Sequence, residues 1–361
     1  MLRNTKLQIN VDNYINNSKA FIAHTNKKMM GIIKANAYGL NDAVMGKFLE
    51  ESGVDFFGVA TLDEALNLRK GGIKSEILVL SYVHDLDICL KNNFSIIVPN
   101  VHFVEENKDK LKGIKVHIKV NTGLNRLGLF PKEVKETLDA LLNAGAIVEG
   151  IMTHFACTDN KEYTQKQYDL FKETVKACNY DFKFIHTSAT DAAIYLNDDI
   201  CNYIRIGLGL LGTANIDFDL PLKNVVTLSA EVIDCKQLEK GEGVSYHHNY
   251  VADGNGYYLT CTIGYADGMD LRYSGKEVYV DGEIGTIVGN VCMDLMVVKT
   301  NKPHSIGSQV EIIGEHMPIQ KRVKDLSINA CKVVTDISDR ITRVFIKDGK
   351  VVLEKNQRFN Y

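Results

Sequence analysis

The chain has 361 residues, 45% hydrophobic and 24% charged, with a formal net charge of −3. That length exceeds one ordinary core and predicts two domains, and the composition excludes a disordered chain. The near-balanced charge offers no basic field to nucleic acid or anionic lipid, and no apolar stretch of signal-peptide or membrane-spanning length is visible, so a cytoplasmic protein is expected.

In chain order, short apolar runs occupy residues 31–34, 56–60, 76–80, 94–98, 115–120, 150–154, 182–186 and 203–208. Segments with helical spacing lie between them, including 61–70, 131–144 and 161–178, with Pro131 at a first helical position. Eight strand–helix alternations predict an α/β fold of the (β/α)8 barrel type rather than an open doubly wound sheet. No GxGxxG follows an early strand. Beyond about residue 221 the pattern changes. Residues 225–232, 257–263, 277–280, 291–298 and 310–313 read as strands between glycine-rich turns, and Asp348-Gly349 predicts a type I′ hairpin. The expected organisation is a barrel over 8–221 and a mostly antiparallel β domain over 222–361. The run at 6–11 reads as a ninth strand, and a strand from residues 1–7 is expected to join the β domain.

The eight cysteines form no CxxC pair and the ten histidines no HExxH, which argues against a metal site. Free, mostly buried thiols are expected.

Active sites of such barrels lie at the C-terminal ends of the strands. There the sequence places Lys34 and Tyr38, then Lys119 and Arg126, then His154, His186 to Thr190, and Arg205 before Gly207, Leu208 and Gly209. A lysine at a strand end can be a Schiff-base nucleophile when partial burial frees its amine. Taken singly, Lys34 reads as a solvent-reaching lysine, His154 as a core histidine and Arg126 as a surface ion-pair partner. Arg205, inside an apolar run, needs a partner. Two lysines, two arginines and a histidine at one barrel mouth predict an anionic ligand, such as a phosphate together with a carboxylate. Backbone amides near Gly207 could cradle the phosphate.

Seven segments resemble bacterial alanine racemases and occur in that family's order along nearly the whole chain. They are IKANAYG (33–39), KVNTGLNRLG (119–128), THFA (153–156), RIGLGLLG (205–212), VSY (244–246), IGYADG (263–268) and GNVCMD (289–294). The resemblance implies pyridoxal 5′-phosphate as cofactor and alanine racemisation by two bases. Lys34 would hold the cofactor and serve one face of Cα. Tyr246, from the partner subunit of a homodimer, would serve the other. Arg205 would face the pyridine nitrogen with His154 nearby, and an arginine, being only a donor, would leave that nitrogen unprotonated. Tyr38, Thr190 and the amides of Gly207 and Leu208 would hold the phosphate. Arg126 and the backbone of the partner's Met293 would bind the substrate carboxylate. Lys119 occupies a position that is carbamylated in many family members. The implied product is D-alanine for peptidoglycan.

The chain departs from the family pattern at several positions. Thr190 replaces a serine, Asn121 an aspartate and Asn290 an entrance arginine. Asp339 stands where a tyrosine is usual, so Asp339 and Tyr265 are the expected specificity positions, with serine or another polar amino acid as an alternative substrate. A decarboxylase of the diaminopimelate/ornithine group is a weaker reading, because Arg205 replaces a glutamate and there is no glycine run. A non-catalytic carrier or amino-acid sensor is weaker too, because single-domain carriers lack the β domain.

Overall fold

The computed structural model describes residues 3–358. Residues 1–2 and 359–361, the outer ends of the expected N-terminal strand and β domain, lie outside the described residues. The chain divides into two compact units, one of Ile15–Leu222 and one combining the described residues up to Tyr14 with those from Lys223 onward.

Strand β1 (Lys6–Asn10) belongs to the second unit. The first unit is a closed barrel of eight parallel strands. These are β2 (Lys28–Ile32), β3 (Phe56–Val59), β4 (Glu76–Val79), β5 (Ser95–Val98), β6 (Lys115–Lys119), β7 (Ile147–Met152), β8 (Phe184–Ala189) and β9 (Tyr203–Ile206), with β9 pairing back onto β2. Each of the eight apolar runs supplies one strand. Met30, Ile32, Phe56, Leu78, Ile97, Met152, Phe184 and Tyr203 form a buried cluster contributed by seven of the eight strands. The helices carry local start signals. Thr61 caps Leu62–Lys70 in a reciprocal capping box with Glu64, and Pro131 opens Pro131–Asn143. Because β7 ends at Met152, His154 lies two residues beyond the strand rather than at its end.

The second unit continues with β10 (Val226–Lys236), β11 (Gly243–Val244), β12 (Tyr250–Val251), β13 (Tyr257–Cys261), β14 (Glu277–Val280), β15 (Glu283–Val288), β16 (Met296–Thr300), β17 (Gln309–Ile313), β18 (Thr342–Lys347) and β19 (Lys350–Lys355). The order β13-β16-β15-β14-β17-β10, with an added β10–β13 pairing, closes six strands on themselves. Strand β1 extends this sheet, antiparallel to β10 and parallel to β18. The β18–β19 turn has positive φ at both Asp348 (50°) and Gly349 (70°), as a type I′ hairpin requires.

The strand expected at 291–298 is shorter and later. Cys292 donates its amide to the Leu295 carbonyl at 2.9 Å, making a turn before β16 begins. The sequence reading missed β15 and the helices Ile319–Leu326 and Ala330–Thr335. Four cysteines are buried and four half-buried, so burial of most thiols holds for only half of them.

Candidate active site

Immediately after β2, Ala35, Asn36, Ala37 and Tyr38 have φ of 50°, 56°, 52° and 57°. This is one turn of left-handed helix without a glycine, which costs about 1–2 kcal/mol per residue. Contacts on both sides hold it. The Gly39 amide donates to the Ala35 carbonyl at 2.9 Å, and the Asn41 amide to the Asn36 carbonyl at 3.0 Å. Glu64 accepts from the amides of Ala35 and Ala60, each at 2.7 Å, so one carboxylate ties the loop after β2 to the loop after β3. The Asn36 side chain accepts from the Asp42 amide at 3.0 Å. At the head of the turn the Lys34 side chain is exposed rather than half-buried.

The turn buries the Tyr38 ring and directs its hydroxyl to Gly207. A Cβ at Gly207 would lie 2.1 Å from Tyr38 Oη, so only glycine admits the tyrosine there. Thr190 Oγ1 accepts from the Gly209 amide at 3.0 Å. Two hydroxyls thus flank the backbone that follows β9.

Arg205 is 3% exposed. The β8–β9 register slips by one residue between His186 and Ala189. Arg205 takes carbonyls within that slip, donating to His186 O (2.9 Å) and Thr187 O (2.7 Å), as well as to Thr153 O (2.9 Å). Its remaining recorded partners are His186 Nδ1 at 3.0 Å and His154 Nδ1 at 3.1 Å. Burial lowers its pKa to about 10. Burial, then the charges of Arg205, Lys119, Arg126 and Lys34, push His154 down to about 3, so its imidazole is neutral. Burial, then Arg126, Arg205 and Lys34, bring Lys119 down to about 8.

Arg126 is exposed, in a loop that Asn121 organises. Asn121 Oδ1 accepts from the amides of Asn125 (2.9 Å) and Gly123 (3.2 Å), while Nδ2 donates to Asn125 Oδ1 (3.0 Å). An aspartate could not make that last bond. Among the described residues, Lys34, Lys119, Arg126 and Arg205 have no ion-pair partner within 4.0 Å. Four cations without a carboxylate, three of which act on the fourth, Lys119, beside two hydroxyls and a glycine cradle, fit an anionic phosphorylated group.

The second unit carries a cleft of about 680 Å³, lined in part by Tyr246, Tyr265, Leu271, Asn290 and Met293. Tyr246 (67%), Leu271 (61%), Met293 (53%) and Tyr265 (46%) are exposed in it. Tyr246 rides on a strained turn, with φ of 65° at Ser245 and 66° at His247. Asn290 pins this turn, accepting from Ser245 Oγ through its carbonyl (2.9 Å) and donating from Nδ2 to the Tyr246 carbonyl (3.1 Å). The Met293 carbonyl accepts from Ala266 N at 3.0 Å. A Cβ at Gly264 would fall 2.4 Å from that carbonyl. The two loops can therefore pack only over glycine.

Comparison with known proteins agrees with both halves of this arrangement. The family described as alanine racemase, N-terminal domain, matches residues 9–215, and alanine racemase, C-terminal domain, matches 225–345. The chain belongs to the alanine racemase family. Alanine racemase of Streptococcus pyogenes serotype M2 is 32% identical over 336 residues, 88% of this chain and 91% of the relative. The crystal structure of the Bacillus anthracis alanine racemase with bound L-Ala-P superimposes with a TM-score of 0.91 at 30% identity, covering 98% of each chain. A histidine racemase from Leuconostoc mesenteroides shares the fold as well, with a TM-score of 0.88 at 26% identity, covering 96% of this chain and 98% of that one.

In this alanine racemase family member the barrel brings together Lys34, Tyr38, Lys119, Arg126, His154, Thr190, Arg205, Gly207 and Leu208. The second unit brings together Tyr246, Tyr265 and Met293. Asp339 does not line their cleft; its side chain is 61% exposed and lies 3.8 Å from Arg343. Sequence reasoning assigned no role to Glu64, Asn121 or His186. Glu64 had a signal, the Thr61-x-x-Glu64 capping box. His186 had only its place near a strand end.

Proposed function

We propose that this chain interconverts L- and D-alanine with pyridoxal 5′-phosphate as cofactor. The observation that carries this reading is the set of four converging cations without a carboxylate, headed by Lys34 on a strained turn. The cofactor, when bound, supplies a conjugated ring that acidifies the Cα–H bond of an amino acid attached to it. Tyr38, Thr190 and the backbone at Gly207 and Leu208 would hold its phosphate. Arg205 would face the ring nitrogen and, as a donor only, would not protonate it. This sets the site apart from a decarboxylase with a carboxylate at that position. Arg126, with the Met293 backbone of a second copy, would orient the substrate carboxylate. Lys34 Nζ would exchange a proton with one face of Cα and Tyr246 Oη with the other. Lys119 as a carbamate would turn a repelling cation into an anion beside Arg126. In a bacterial host the D-alanine would supply peptidoglycan precursors.

The exposed Tyr246, with Leu271, Met293 and Tyr265 exposed beside it, supports a homodimer in which each barrel takes Tyr246 from its partner. Chiral analysis of product from L-alanine tests the reaction, and a racemic product is expected. Mixing inactive Lys34→Ala and Tyr246→Phe subunits tests the sharing. In a shared-site dimer each heterodimer regains one intact site, so about a quarter of parental activity returns. No return of activity rules sharing out.

A second reading, in which serine or another polar amino acid is also racemised, follows only from the sequence, where Asp339 replaces a usual tyrosine, and draws no support from the cleft, which Asp339 does not line. A serine rate thousands of times below that for alanine would end it.

A further inference from the structure

Arg205 is buried, and every recorded acceptor around it is neutral: three carbonyls and two imidazoles. A guanidinium in that setting calls for compensating charge. The contacts lead to one, deeper in the barrel. His186 Nε2 lies 2.9 Å from His117 Nδ1, and His117 Nε2 lies 3.4 Å from Glu149 Oε1. Ser95 Oγ also donates to Glu149. His117 and His186 are fully buried and Glu149 is 6% exposed.

The direction of this chain follows from its first member. Arginine only donates, so His186 Nδ1 must accept and, in the neutral ring, the proton sits on Nε2. That proton is donated to His117 Nδ1, which places the His117 proton on Nε2, facing Glu149. Donors therefore point one way from Arg205 through two neutral imidazoles toward a carboxylate; the last step is the 3.4 Å approach of His117 Nε2 to Glu149 Oε1, a charge contact outside hydrogen-bond geometry. Burial, and then the Arg205 charge, hold His186 well below its ordinary pKa. Burial lowers His117 as well, against the pull of Glu149.

The backbone is built for this path. The β6–β7 register slips between Val116 and His117, leaving Glu149 as the extra residue on β7. A bulge of this kind re-aims a side chain, and here the Glu149 carboxylate reaches Ser95 and His117. Gly150, opposite His117, would put a Cβ only 2.3 Å from His117 Nδ1, so the ring has its place only because that residue is glycine. His117 also stacks on Phe184, with ring centroids 5.4 Å apart at 15°, which fixes its plane.

We propose that Glu149, acting through His117 and His186, is the remote counter-charge and tautomer lock of Arg205, and is therefore a positioning residue for the cofactor ring. The proposal rests on the cofactor reading above. Glu149 touches neither Arg205 nor any group at the barrel mouth. Its effect passes along the chain: without an acceptor beyond it, His117 favours the opposite tautomer, which turns His186 Nδ1 into a donor facing the Arg205 N–H.

The test is 15N NMR of ring-labelled histidine in the cofactor-free protein, with His117 and His186 assigned by Asn variants. Both should be neutral and protonated on Nε2 in the parent. Glu149→Gln keeps an acceptor and should preserve that pattern. Glu149→Met keeps the volume without the acceptor, and should populate the Nδ1–H forms and weaken pyridoxal phosphate binding about tenfold, the scale of one charged hydrogen bond. An imidazolium or an Nδ1–H tautomer at either histidine in the parent overturns the proposal, whether or not the Met variant folds. So does a Met variant with parental tautomers and cofactor affinity. The NMR needs no turnover, so a parent inactive toward alanine would defeat the functional reading while leaving the tautomer result standing by itself.

Discussion

Replacing Lys119 by methionine should make the cofactor-free protein more stable at neutral pH while impairing the reaction. Burial and three neighbouring cations lower the Lys119 pKa from 10.5 to about 8. At about 1.4 kcal/mol per unit, that fall means the protonated amine costs the folded state roughly 3 kcal/mol at pH 7. The sign follows from proton counting. Between about pH 8 and 10.5 the unfolded chain holds the proton more tightly, so the Lys119 contribution to stability rises with pH across that window. Methionine has similar length and no charge. Denaturant titrations of parent and Lys119→Met should therefore differ by about 3 kcal/mol at pH 7 in favour of the variant, and converge towards pH 10.5. The same depressed pKa leaves a substantial share of neutral amine near pH 8. That amine can add to CO2 with loss of a proton, giving a carbamate among the cations. In bicarbonate buffer the parent should gain stability and show a carbamate carbon by 13C NMR, and Lys119→Met should do neither. A parent–variant difference that does not change with pH, measured without CO2, would refute the electrostatic argument. Absence of a bicarbonate response would refute carbamylation.

Other expectations follow from single contacts. Gly207→Ala puts a methyl 2.1 Å from Tyr38 Oη and should abolish tight pyridoxal phosphate binding, measured by absorbance titration, with the far-ultraviolet circular dichroism unchanged. Asn36→Gly relieves one left-handed residue and should add about 1 kcal/mol in denaturant melts, less what is lost with the Asp42 amide bond. Glu64→Ala removes the acceptor shared by Ala35, Ala60 and Thr61, and should cost about 1–2 kcal/mol and slow borohydride-trapped labelling of Lys34 by the cofactor. Asn290→Ala unties the Tyr246 turn and should lower turnover without altering cofactor affinity, since Asn290 lies in the second unit.

The barrel was legible because each buried parallel strand is a short apolar run and each following helix has its own period and cap. The site was legible only as residue types at strand ends. Nothing in Ala35 or Ala37 announces positive φ; the turn is imposed by Glu64 and the burial of Tyr38. The two register slips, which turn Glu149 inward and hand two carbonyls to Arg205, leave no mark in hydrophobic periodicity. The strand at 283–288 went unread because it contains Gly285, which lets Val298 pack against the backbone. The apolar stretch at 291–295 was read as strand although it turns to present Met293.

The placement of β1 has a consequence for how the chain is made. Leu7 pairs with Leu228 on one side and with Arg343 on the other. Strand β1 therefore has no neighbour until the whole barrel has been synthesised and β10 follows it, and its second neighbour, β18, comes more than 100 residues later still. Non-local pairing of this span is slow to form and leaves an open strand edge in the meantime. A nascent chain cut short before residue 342 should hold a formed barrel with β1 paired to β10 alone and its other edge open, and a permutant whose new ends lie in a barrel loop, with the old ends joined, should escape that wait.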